Sequence, residues 1–493
     1  MAPDPRTPVV VGVGQLTCHT DTGEPALEPI DMMVEALRRA EADTGAPGVL
    51  AAASSLGVVR MLSWRYPDPA ALVAERLGIG PLQTVGTAPG GNIPQTLLGR
   101  KAAEIAAGDH DVVLLAGAEA WRTLTAARRA GTEPAWTVQP DDVHPDQEIG
   151  GAFVASHAAE RARAIQHPIQ IYPLFENALR GAAGRSVAEH QRHLGELYAR
   201  FNRVAVDNPY AWDRRAYTAE EIAVPSAGNR MVGFPYTKLM CSNEQVDEAA
   251  ALILCSVAKA QELGIPPDRW VFPLGIAEAA APFVSERHDL GGSVMADAAS
   301  EALWKLTGLG ADDIAHVDLY SCFPSAVQVQ ANALGFGLDR QLTVTGGMRF
   351  SGGPWNNYAM HAIATMVGVL RADPGARGLC GANGGYLSKL SLGVYSTSPP
   401  DEFHVVSAQE AVDAAPRRAV DEAPEGRATV ESYTVMHGRD GRPTDAIVAC
   451  LMPDGRRAWG TITGDDATLR AMTTEEVIGR TAALTPDGPA TLE

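Results

Sequence analysis

The chain is poor in cysteine. Six are spread over 493 residues, at positions 18, 241, 255, 322, 380 and 450, and none stands in a Cys-x-x-Cys pair. That argues against zinc ribbons and thioredoxin-type redox motifs, and a disulfide framework is not expected at this size. Aromatic residues are also scarce, at 6%. Positive charge is short: 40 Lys and Arg face 59 Asp and Glu, for a net charge of −19. Such a balance opposes binding to nucleic acid or to an anionic membrane surface. Long apolar runs are missing as well. The longest, around Ala249–Ala258, has the length of a buried helix and falls short of the ~18 residues that span a bilayer. The start, Met-Ala-Pro-Asp-Pro-Arg, lacks the basic-then-apolar order of a signal peptide. The expectation is a soluble, cytoplasmic protein with free thiols, no metal site and no membrane insertion.

What the chain does contain is an ordinary globular share of apolar residues, 46%. At roughly 100–200 residues per domain, two to four domain-sized units are expected. Val9–Val13 reads as a buried strand and Ile30–Asp43 as an amphipathic helix with Asp31 near its N-cap. Pro69–Leu77 and Ile93–Ala107 read as further helices, the second ending at Gly108. Asp111–Gly117 reads as a strand buried on both faces, which suggests a parallel sheet covered on both sides. Residues 120–240 are richer in Arg, His, Pro and aromatics, with a helix near Val187–Phe201, and read as an inserted lid. Alternation of strand and helix resumes at Val246–Ala260. A second half follows, with helices near Ala296–Leu306, Ser325–Leu334 and Met360–Arg371, and strands at Ala315–Leu319 and Leu390–Tyr395. Beyond Ser398 the pattern changes to alternating runs at Val430–Met436, Asp445–Met452 and Arg457–Thr463, separated by Gly-rich turns. These predict a small antiparallel barrel or sandwich. It carries 17 acidic against 9 basic residues, which opposes a role on single-stranded nucleic acid.

Four segments, taken in order, resemble the thiolase superfamily. Ala102–Glu119 resembles the Ala-x-x-Ile-x-x-Gly-x-x-Asp-Val-x-x-x-x-Gly-x-Glu stretch. Pro235–Ala251 is similar to a Pro-Leu-Thr…Cys…Asp-Gly-Ala-Ala stretch, with Glu248 in place of the glycine. Tyr320-Ser-Cys-Phe323 resembles the His-Asp-Cys-Phe motif of the sterol-carrier-protein type of thiolase. Val344–Pro354 resembles Gly-Gly-x-x-x-x-Gly-His-Pro. The resemblance covers about residues 7–398. It implies an α/β thiolase fold: two related βαβ halves in a five-layered α/β/α/β/α core, with a loop domain. The expected units are 1–270, including the loop domain at about 120–240, then 271–398, then an added β-barrel at 399–493.

The resemblance also places the site, and two positions depart from the pattern. The nucleophilic cysteine of the family falls on Gly91, and the histidine of Gly-His-Pro falls on Gly353. Thiol and base work as a unit, so losing both removes covalent acyl transfer. What remains is Cys322 at the proton-shuttling cysteine, Tyr320 at the histidine that holds the thioester oxygen, and His361 on the following helix as a replacement base. Cys380 lies near a further family cysteine, one residue out of register. Asn356 and Asn357 read as helix N-caps. Arg230 and Lys238 are candidates for contact with CoA phosphates.

The implied ligand is a non-covalently bound acyl-CoA thioester. The expected function is an acyl-CoA-binding protein of the acetyl-CoA acetyltransferase type without thiolytic activity. The alternatives are a retro-aldolase acting on 3-hydroxyacyl-CoA and a non-catalytic binder or scaffold. The strand that joins thiolase protomers falls on Gln83–Gly91, where Pro and repeated Gly predict a weakened or lost dimer.

Overall fold

The computed structural model describes residues 3–19, 26–151, 154–464 and 466–493. The first half opens with β1 (Pro8–Thr17), α1 (Pro29–Thr44), β2 (Ser55–Val58), α2 (Pro69–Leu77), β3 (Gln83–Thr87), α3 (Ile93–Ala107) and β4 (Val112–Ala120). Glycine in the left-handed conformation closes α1, α2 and α3, and proline stands at the first or second position of each. The N-cap of α1 is Glu28, not Asp31; Asp31 sits in the first turn and pairs with Arg76.

After α4 (Trp121–Arg129) the chain forms β5 (Gln147–Ile149), then α5 (Ala158–Ala162), α6 (Pro168–Ala182), α7 (Val187–Asp207) and α8 (Ala219–Ala223). The Arg/His/Pro-rich insertion is thus largely helical. Ser186 and Glu189 form a capping box that starts α7. A ribbon of β6 (Met231–Gly233) and β7 (Tyr236–Thr237) leads to β8 (Asp247–Ser256).

The longest apolar run, around Ala249–Ala258, which has the length of a buried helix, falls mostly within the strand β8. β8 lies between antiparallel β1 and β4 and is buried along its whole length. A run that is apolar on both faces has no periodicity to separate strand from helix. The first sheet has the order β1-β8-β4-β2-β3-β5 and is mixed, with β4, β2, β3 and β5 parallel.

The second half contains α9 (Val257–Glu262), β9 (Phe272–Ala280), α10 (Val294–Thr307), β10 (His316–Asp318), α11 (Pro324–Leu334), α12 (Gly347–Phe350), α13 (Tyr358–Ala372), β11 (Arg377–Gly384), β12 (Lys389–Ser396) and β13 (Val405–Ser407). Its sheet has the order β10-β11-β12-β9-β13. α3 and α13 pack on each other between the two sheets. α1 and α2 cover the first sheet, and α10, with α11 packed beside it, covers the second. The layers are therefore α/β/α/β/α.

The last unit follows α14 (Gln409–Ala414). It comprises β14 (Gly426–His437), β15 (Pro443–Leu451), β16 (Arg457–Thr463), α15 (Asp466–Ala471), β17 (Thr481–Leu484) and β18 (Ala490–Leu492). Its antiparallel sheet runs β16-β15-β14-β17-β18 and curls until Thr461 bridges Pro489, just before β18. It docks on the loop domain. β14 packs on α6 and pairs with β6 at Met436 and Gly233, and the Arg180 guanidinium forms a bidentate pair with Glu476. No described helix is long and apolar enough to cross a membrane.

Candidate functional site

The loop Pro89-Gly-Gly-Asn turns from β3 into α3 and brings Gly91 to the helix N-terminus. There is no room there for a side chain. A Cβ on Gly91 would lie 2.1 Å from the Tyr320 hydroxyl oxygen and 2.4 Å from the Asn383 carbonyl oxygen. Tyr320 and Cys322 lie on the segment between β10 and α11. Gln330 of α11 fixes this segment: its amide donates to the Tyr320 carbonyl at 2.9 Å, and its Oε1 accepts from the Tyr320 N–H at 3.4 Å. The Tyr320 ring meets Tyr358 edge-on at 5.6 Å. Burial and the neighbouring Cys322 push the Tyr320 hydroxyl well above the usual phenol range.

Cys322 is buried beside the Tyr172 hydroxyl and the Asn383 amide. Its thiol is pushed up to about 12, because burial outweighs these hydrogen bonds. Tyr172 comes from α6 of the loop domain. Its hydroxyl donates to the Gly385 carbonyl at 2.9 Å and accepts from the Asn383 amide at 2.9 Å and the Leu387 N–H at 3.2 Å. Its ring stacks on Phe323 at 4.7 Å. Sequence reasoning missed Tyr172 and Asn383. Tyr172 carries no local signal, since it is one aromatic on an amphipathic helix. Asn383 lies within Cys380-Gly-Ala-Asn-Gly-Gly, where the family resemblance points to Cys380. Cys380 is buried nearer Asp318 and Tyr395.

Gly353 is crowded by a single group. A Cβ there would lie 2.0 Å from the Ser242 hydroxyl. The backbone ties this turn to Cys322: Ser242 N–H donates to the Cys322 carbonyl at 3.0 Å, and Gly353 N–H donates to Asn243 at 2.9 Å. At Gly352, with φ of 108°, a Cβ would sit 2.1 Å from a carboxyl oxygen of Glu248. Glu248 is buried, and one of its oxygens has no partner among the described residues. Burial and neighbouring Asp247 raise this carboxyl well above its usual range.

His361 faces a void whose lining includes neither Tyr320 nor Cys322. It lines this small void with Glu248, Gly352, Tyr210 and Tyr358. Its Nδ1 contacts the Gln15 Oε1 at 2.9 Å, and burial lowers the imidazole to about 3. Asn357 occupies the N-cap position of α13, but its side chain does not cap; its amide donates to the Gly117 carbonyl at 2.7 Å. The Asn356 side-chain Oδ1 accepts from Gly90 N–H at 3.0 Å, which ties the start of α13 to the Gly91 loop. Arg230 and Lys238 flank the β6–β7 ribbon. Arg230 is half-buried and donates to the Met231 carbonyl at 3.0 Å, and Lys238 is exposed.

This fold is the thiolase fold, and it holds the Tyr320–Cys322 segment against the N-terminus of α3. The chain belongs to the SCP2-thiolase-like proteins of type 1. It matches the crystal structure of a monomeric SCP2-thiolase-like protein type 1 from Mycobacterium smegmatis with a TM-score of 0.85 and 34% identity, over 99% of this chain and 100% of that one. Residues 407–489 match the family described as the thiolase-like protein type 1 additional C-terminal domain. Two more distant structures share the fold. One is the Ltp2-ChsH2(DUF35) aldolase, at TM-score 0.59 and 20% identity over 81% of this chain and 99% of that chain. The other is an acetyl-CoA acetyltransferase from Syntrophomonas wolfei, at 0.57 and 14% over 80% and 99%. The benzoylsuccinyl-CoA thiolase subunit BbsB of Thauera aromatica is 27% identical over 142 residues, which is 29% of this chain and 35% of that subunit's length.

Proposed function

We propose that this protein binds an acyl-CoA thioester at the Tyr320–Cys322–Tyr172–Asn383 site without forming a covalent acyl-enzyme. One observation carries the reading: the Tyr320 hydroxyl fills the space that a nucleophile at Gly91 would need. The Ser242 hydroxyl does the same at Gly353. Cys322 does not substitute, because a thiol pushed up to about 12 stays protonated near neutrality. CoA would be held non-covalently, with Arg230 and Lys238 as its phosphate contacts. The protein would work in the cytoplasm. Mixing with a 3-ketoacyl-CoA is expected to give no acyl-enzyme burst, while calorimetry detects CoA binding. A stoichiometric acylated peptide overturns the first half, and absence of binding overturns the second.

A second reading is retro-aldol cleavage of a 3-hydroxyacyl-CoA. It is favoured by the Tyr320 hydroxyl, whose oxygen stands 2.1 Å from where a Cβ on Gly91 would lie. A phenol held protonated there is able to donate a hydrogen bond to a developing enolate, with no covalent thiol. Release of an aldehyde or ketone from a branched 3-hydroxyacyl-CoA, abolished by Tyr320→Phe, supports this reading. Tight binding with no turnover of any thioester favours a scaffold instead.

The chain is also proposed not to dimerise through β3. In this fold β5 pairs in parallel with β3 and covers its edge. The buried Lys101 ammonium pins both strands, donating to Gln83 and Gln147 at 3.0 Å each. A stable dimer at low micromolar concentration in light scattering overturns this.

A further inference from the structure

The added C-terminal sheet reaches the Cys322 site through two buried arginines. Arg457 of β16 is fully buried. Its guanidinium forms a bidentate pair with Glu431. It also donates to the carbonyls of Val284 at 3.0 Å and Ser285 at 3.1 Å, and to that of Arg287. Trp459, also on β16, donates its indole N–H to the Ser285 hydroxyl at 2.8 Å. The turn at 284–287 is therefore held by the C-terminal sheet.

Arg287 carries the connection inward. Its guanidinium donates to the Tyr386 carbonyl at 2.7 Å, the Ser388 hydroxyl at 3.3 Å and the Pro282 carbonyl at 3.3 Å, and lies over the Phe175 ring. Among the described residues none of its hydrogen bonds goes to a carboxylate; carbonyls, a hydroxyl and a ring face surround it, and the Glu160 carboxylate acts on it only through its charge. A buried cation is costly in that setting. The turn it grips, residues 384–388, supplies the Gly385 carbonyl and the Leu387 N–H that orient the Tyr172 hydroxyl. Tyr172 in turn contacts Cys322. The same turn presents Ser388 to a cavity of about 270 Å³ that Arg417, in the segment leading to the C-terminal sheet, also lines.

We infer that Arg287 and Arg457 are positioning residues through which the C-terminal sheet sets the geometry of the Tyr172–Cys322–Asn383 cluster. The inference takes the location of the site from the proposed function, but not its ligand. The added sheet is then part of the site and not an appendage to a complete thiolase-like core.

The test reads the Cys322 thiol directly and needs no CoA ligand, so its failure is distinct from a failure of acyl-CoA binding. In the full-length protein, alkylation by iodoacetamide is followed peptide by peptide across pH 7–11. Cys255, buried in β8 of the first half, serves as the internal control. In Arg457→Lys and Arg287→Lys, Cys322 is expected to react about tenfold faster, with its pH profile moved, while Cys255 keeps its wild-type rate. In Ser388→Ala, which keeps both arginines, a rise of about threefold is expected. Equal acceleration of Cys255 and Cys322 would mean general loosening and overturns the inference. An unchanged Cys322 rate in Arg287→Lys and Ser388→Ala also overturns it. If Arg457→Lys does not fold, those two variants decide.

Discussion

The two flanks of the site are built in opposite ways. On one flank Gly91, Gly352 and Gly353 have no side chains, and neighbours crowd them: the Tyr320 hydroxyl, the Glu248 carboxyl and the Ser242 hydroxyl. On the other flank Tyr172, Asn383 and Cys322 are full side chains joined by hydrogen bonds. The glycines are not vacancies waiting for a catalytic residue, because the space belongs to groups reaching in from other segments. Chemistry on the first flank thus depends on what reaches in, and chemistry on the second on how the network is held.

The largest expected effect lies behind the glycine flank. His361 is held neutral and takes its proton at about 3 in the folded chain, against an ordinary value of 6.5. Between those values the unfolded chain binds more protons, so this group's contribution makes stability rise with pH across that window and level off above 6.5. Relative to wild type, His361→Gln is expected to flatten the acid limb of a denaturant-midpoint profile, by on the order of 4 kcal/mol at pH 3. If the two profiles run parallel, the void near Glu248 does not hold a neutral imidazole.

Next comes the crowding itself. Gly91→Cys is expected to cost about 3 kcal/mol and to give no acyl-enzyme. Tyr320→Ala in the same chain recovers about half of that cost, because the Asn383 carbonyl still stands 2.4 Å from the new Cβ. Urea unfolding of the four chains measures the coupling. A Gly91→Cys protein as stable as wild type would break the comparison between the flanks.

Much of the fold was legible in the sequence. α2 and α3 begin and end where Pro and Gly punctuate helical runs, and the three alternating runs of the last unit are β14, β15 and β16. β8 was not legible, because burial on both faces erases the period that separates strand from helix. β5 has three residues and owes its strand form to its partner β3. Of the site, the motif resemblance singled out Gly91, Tyr320, Cys322 and Gly353, and the structure places Gly91 and Gly353 against this segment and its neighbours. It did not single out Tyr172, Asn383, Arg287 or Ser242. These reach the site from separate segments, through contacts that exist only after the layers pack.

On the hydrogen-bonded flank, Tyr172→Phe removes the acceptor of both Asn383 and Leu387 while keeping the ring on Phe323. Two buried donors lose their partner, which is expected to cost about 2 kcal/mol in urea unfolding. A near-neutral result would mean that this network is not what fixes Cys322, and the contrast between the flanks would weaken.

The smallest effect is the sharpest discriminator. Ser242→Ala removes the hydroxyl that would meet a Cβ on Gly353 at 2.0 Å, and is expected to change stability by about 0.5 kcal/mol or less. Gly353→Ala alone forces that contact and is expected to cost about 1–2 kcal/mol. Together the two changes should cost less than their sum, since the remaining neighbours, the Asn243 and Met348 carbonyls, lie at 3.3 and 3.4 Å. A favourable coupling of about 1 kcal/mol would show that the serine hydroxyl is what fills the histidine position. Strict additivity would place the cost of a side chain at 353 in the backbone carbonyls. No change confined to Ser242 would then open the position to a base.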